Sequence, residues 1–194
     1  MPMNYRQSRS RAIGASDDEA RRTSALALWR YSHDYLKVAQ SLCENDQVAC
    51  NESQVPYHLA MQGVEFGLKS YLRAKGVTAD DLSARIGHSL LEAFQEALAR
   101  GLPTPPSDVV QTLQDFAPFL RDDRFNYLPA EYGEMPELAP LLDAGLWILW
   151  EVAAIAAADY HAYVRPGLPA EVEAMTSRLY ADLHHTASKM CRSQ

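Results

Sequence analysis

Glu65 and Lys69 stand four residues apart, so on a helix the carboxylate and the ammonium share one face with the acid on the N-terminal side, the favourable order for an ion pair. On a solvated face, where such pairs ordinarily lie, the contact is worth only ~0.3 to 0.5 kcal/mol. His88 directly precedes Ser89-Leu-Leu-Glu92, a capping box in which the hydroxyl and the carboxylate each satisfy an orphan backbone N–H. That position normally carries a staple residue packed on the first turn, so the imidazole reads as a packed, hydrogen-bonded group first and a ligand contact second. Glu151 lies among Trp147, Ile148, Trp150 and Ile155, where a carboxylate must be paired, protonated or aimed at a cavity; an internal ion pair or hydrogen bond is the ordinary solution. A fourth cluster, residues 121–129, brackets Phe125 and Tyr127 with Arg121, Asp122, Asp123 and Arg124.

Other chemistries lack their residues. No Glu-x-x-His occurs, and Asp182 with His185 forms a single i, i+3 pair, too few ligands for an ion. His184 and His185 project about 100° apart on a helix and read as solvent-exposed. Neither Gly-x-Gly-x-x-Gly nor Gly-x-x-x-x-Gly-Lys-Ser/Thr is present, and both would need a strand that this chain does not offer. The Gly-x-Ser-x-Gly elbow of many hydrolases is absent too. No cofactor and no metal are expected. Cys43, Cys50 and Cys191 match no zinc or redox spacing, which points to a reduced, cytoplasmic compartment. The net charge of −7 argues against a broad electrostatic grip on nucleic acid or anionic lipid and leaves room for a local basic site.

The elements that must position these groups are all helical by periodicity, with no sustained period-two run of β-branched residues. Thr23 or Ser24 caps a first helix running to about Asn45, with Leu28, Tyr35, Val38 and Leu42 on one stripe and Leu26, Trp29, Leu36 and Cys43 on another. A second helix begins around Pro56 and stops at Gly76; a third runs from Ser89 to Gly101, followed by a shorter one over 107–120. The fourth long helix spans about 137–163. Its apolar run, 144–158, is interrupted by Glu151, and a membrane span of ~20 residues would rarely centre a carboxylate, so a helix buried on most sides is expected. Residues 170–189 form the last. The predicted organisation is a basic N-terminal arm over 1–22 without the apolar core of a secretory signal, a helical bundle over 23–164, and a C-terminal helix over 165–194 that packs on or extends it. The expected fold is an all-α, four-to-five-helix up-and-down bundle. Its first helix carries two apolar stripes, one more than a peripheral helix needs, so self-association as a homodimer is expected.

Ala60-Met-Gln-Gly-Val-Glu65-Phe-Gly-Leu-Lys69-Ser-Tyr-Leu-Arg-Ala-Lys-Gly76, followed by Ile86-Gly-His88-Ser-Leu-Leu-Glu-Ala-Phe-Gln-Glu-Ala, resembles the HEPN domain superfamily. Its bundles often carry an Ala-x-x-x-x-Glu-x-x-Leu-Lys helix and then a Gly-His-Asp/Ser-Leu helix start. The likeness covers roughly residues 24–163. It implies a helical homodimer whose relatives are metal-independent ribonucleases, or nucleotide- or RNA-binding proteins, in toxin–antitoxin, defence and stress systems.

The superfamily's active motif is an arginine, four to six intervening residues, and then a histidine. The matching region here begins at Arg121, where Tyr127 stands six residues on; after Arg124 the corresponding positions hold Pro129, Ala130 and Glu131. The absent histidine would be the general acid/base for attack by a ribose hydroxyl, so efficient catalysis is not expected. What the segment retains is a binding surface: Arg121 and Arg124 as phosphate forks, Phe125 and Tyr127 as faces for a base. In the competing arrangement the arginines pair with Asp122, Asp123 or Glu151 and the aromatics pack into the bundle. Glu65, Lys69, His88 and Glu151 complete the candidate ligand-binding set. The alternatives are a structural or partner-binding homodimer holding a cognate protein, and a ribonuclease with a non-standard site.

Overall fold

The computed structural model describes residues 24–44, 54–120, 136–164 and 169–190, and all regular structure among them is helical. Seven α-helices lie in the described residues: α1 (Ala25–Cys43), α2 (Val55–Ala74), the single turn α3 (Ala79–Asp81), α4 (Leu90–Ala99), α5 (Ser107–Leu120), α6 (Leu138–Asp159) and α7 (Pro169–Met190). Two five-residue π-helical segments, Leu82–Ile86 and Tyr160–Val164, continue α3 and α6. The sequence marks the stretch after Gly76 only as a short connection, because a lone turn and a wide π turn leave no 3.6-residue apolar repeat.

Helix ends follow local chemistry. Ser24 caps α1, its hydroxyl accepting from the Ala27 N–H. Asp159 adds a second acceptor at the same end, taking the Ala25 N–H, and burial still drives its carboxyl above the usual range against the lowering influence of that bond and of Arg73. α2 and α4 both end in a Schellman turn around a glycine of positive φ, with Val77 and Leu102 N–H reaching back to the Leu72 and Ala97 carbonyls. Leu102 is buried, as the fold-back requires. Ser89 caps α4 by accepting from Glu92 N–H, but only half of the expected capping box forms, since the Ser89 N–H donates to the Ile86 carbonyl.

The centre of the molecule is the junction of α1, α2 and α6. Ser70 Oγ donates to Ala25 O and Ser32 Oγ to Gly63 O, so α1 and α2 run antiparallel. Trp29 Nε1 donates to Leu149 O, while Leu36 sits at Gly145, which makes α1 antiparallel to α6 as well. Leu36 is clamped between two glycines: a Cβ built on Gly63 would come within 2.7 Å of its Cγ, and one on Gly145 within 2.7 Å of its Cδ atoms. Only backbone fits there.

α6 is long and apolar enough to cross a membrane by length and composition, and 56% of its most apolar window is buried inside the fold. It packs on α1, α2, α5 and α7. α7 contributes Leu179 and Leu183 to the core, and its Thr186 hydroxyl meets His33 of α1. Of the two stripes on α1, Leu26, Trp29 and Leu36 enter the core. On the other, only Leu28 is buried, and Val38 lies in the open.

Candidate functional site

α2 presents Met61, Glu65, Leu68 and Leu72 along one stripe at 4-3-4 spacing, and all four are buried. A carboxylate in that row must be compensated on the spot. Glu65 is 1% exposed and accepts from two donors. Lys69 Nζ, one turn on, reaches its Oε1 at 2.5 Å. His88 Nδ1 lies 3.1 Å from Oε1 and 3.4 Å from Oε2. Facing an ionised carboxylate, which only accepts, Nδ1 is the donor.

Three local features bring His88 to that place. The π segment Leu82–Ile86 carries the chain out of α3, closing with the Gly87 N–H on the Leu82 carbonyl. Gly87 then takes φ +54°, ψ −124°, a conformation for which glycine has no Cβ penalty. Ser89 immediately starts α4. The imidazole is thereby turned toward α2 by one nitrogen, while its side chain as a whole stays 69% exposed. Lys69, by contrast, is 12% exposed.

The arrangement corrects two readings from sequence. Glu65 and Lys69 form a buried pair, not a solvated one. Of the reading of His88 as packed and hydrogen-bonded, the hydrogen bond stands and the packing does not: the imidazole faces solvent and is tied to Glu65 at its inner edge. A third correction concerns Glu151, which is half-buried on the flank of α6 and takes part in no ion pair among the described residues. The core-facing positions of α6 are Ile148, Leu149, Val152 and Ala153, and residue 151 falls beside them. Arg121, Arg124, Phe125 and Tyr127 lie outside the described residues, as do Cys50 and Cys191. Cys43 is half-buried against the core, and His184 and His185 are exposed.

Chemically, a buried carboxylate holding one imidazole nitrogen orients the other toward solvent as a hydrogen-bond acceptor, or as a donor once it is protonated. Lys69 neutralises the carboxylate. No signal of composition finds this cluster; the Met61-Glu65-Leu68-Leu72 stripe would have placed Glu65 inside. No family model matches the chain, and neither a curated protein nor a solved structure matches it.

Proposed function

We propose that this chain is a HEPN-like, cytoplasmic, homodimeric helical protein that binds a phosphate-bearing ligand, a nucleotide or single-stranded RNA, without efficient turnover. One observation carries the reading: the two segments on which the resemblance rests, Glu65-x-x-x-Lys69 and Gly87-His88-Ser89-Leu90, converge, with Glu65 buried and His88 facing solvent. Groups held this firmly at a surface suit recognition of a small charged ligand. Arg121 and Arg124 supply further phosphate contacts in this reading, and Phe125 and Tyr127 the stacking faces. The rival is a structural homodimer, favoured by the aromatic face of Tyr31, Tyr35 and Phe66 beside exposed Val38. Purifying the protein from its own cells and analysing what co-elutes by mass spectrometry and ultraviolet absorbance separates the two. Nucleotide or RNA supports ligand binding, and a second protein or the chain alone supports the rival.

A further inference from the structure

Electroneutrality sets the terms on which the cluster takes an anion. With Glu65 ionised and Lys69 protonated, the two charges cancel at 2.5 Å, so with a neutral imidazole the site carries no net charge. The Lys69 side chain is 12% exposed, and its ammonium gives one of its three N–H donors to Glu65. What faces solvent is the rest of the His88 ring, 69% exposed as a side chain, and with Nδ1 donating to Glu65 a neutral imidazole has no second N–H for a phosphate oxygen.

We propose that His88 is the phosphate contact of this site and that binding there takes up a proton: Nε2 is protonated as the phosphate arrives, giving an imidazolium bridging the ligand oxygen and the Glu65 carboxylate. This rests on the reading of the chain as a phosphate-ligand protein. The site then carries one positive charge, matched to the single negative charge of one phosphodiester or of a singly charged terminal phosphate. Glu65 acts as the positioning residue, facing the imidazolium through Nδ1. The charged groups on the elements flanking His88 are engaged elsewhere or are acidic. On the same connection Arg85 leans to Glu96, 3.7 Å away, and Glu96 also receives Arg100; Asp81 takes the Thr78 hydroxyl; Glu92, in the first turn of α4, adds negative charge. From α2, only Glu65 makes an ion pair with His88, with Lys69 behind it.

The test is calorimetric titration of the full chain with a short single-stranded oligouridylate and, separately, with adenosine monophosphate. Each is run at one pH, about 7, in buffers of widely different ionisation enthalpy. The expected result is an observed enthalpy that varies linearly with buffer enthalpy, with the sign of proton uptake. Affinity should fall up to tenfold per pH unit on the alkaline side. His88→Gln, at an exposed position that leaves the fold intact by circular dichroism, should abolish the slope. Glu65→Gln should reduce it, whether or not that variant is less stable. Binding by the wild type with no buffer dependence, or a slope that His88→Gln leaves unchanged, overturns the proposal while the phosphate-ligand reading stands. Failure of both probes to bind overturns both.

Discussion

At the scale of single residues, the site turns on how Glu65 is compensated. Removing one member of a buried ion pair strands the other, which typically costs about 3 kcal/mol or more, whereas replacing both with apolar groups of similar volume is much cheaper. Lys69→Met alone should therefore lower unfolding free energy in urea substantially, and Glu65→Leu with Lys69→Met should cost less than that single change. A double variant as unstable as the sum of the singles would contradict the pairing. Asp143 supplies the titration counterpart. Burial, and then the neighbouring Asp108 carboxylate, push its carboxyl above the ordinary range, so the folded chain holds more protons than the unfolded one just above that range. Stability contributed there falls as pH rises through the window, and Asp143→Asn should flatten the dependence and raise the midpoint at neutral pH. The residue types at the site were legible in the sequence. The Met61-Glu65-Leu68-Leu72 stripe carries the burial of Glu65, but the approach of His88 was not legible, because it depends on how α4 packs against α2.

Among elements, local signals were read well and long-range ones poorly. The glycine stops at Gly76 and Gly101 and the Ser24 and Ser89 caps depend on a few adjacent residues, which is why the sequence marks them. The glycines that permit close approach of α1, α2 and α6 depend on residues from three helices. Gly63→Ala should show this: the new methyl meets Leu36, which Gly145 prevents from moving away on the other side. Overpacking of this kind costs about 1 to 3 kcal/mol, more than the ~0.5 to 1 kcal/mol an alanine gains in helix propensity. The thermal midpoint should drop, and Leu36→Val in the same chain should recover part of it. A Gly63→Ala variant as stable as the parent would mean that the junction is looser than described. The π turn at Leu82–Ile86 belongs with the unread features, yet it delivers His88 to Glu65.

For the whole molecule, α1 leaves Tyr31 and Val38 46% and 49% exposed, with Tyr35 and Phe66 half-buried between them. Phe66 of that face directly follows Glu65, and the face suits the homodimer expected from the two stripes of α1. Sedimentation equilibrium at micromolar concentration should return twice the chain mass, and Val38→Glu should return the monomer. A monomeric wild type would remove the dimer from the account. The all-helical class was legible from periodicity, whereas the ligand was not, since recognition depends on side chains from separate elements. The central claim, that this bundle binds a phosphate-bearing ligand through the His88 site, is tested most directly by fluorescence anisotropy with a labelled single-stranded RNA at two salt concentrations. The wild type should bind, more weakly at higher salt. His88→Gln should weaken binding, and Arg121→Ala with Arg124→Ala should weaken it further and reduce the logarithmic salt slope by about 1.4 for two lost phosphate contacts. No binding by the wild type, or one affinity shared by all three proteins, would contradict it.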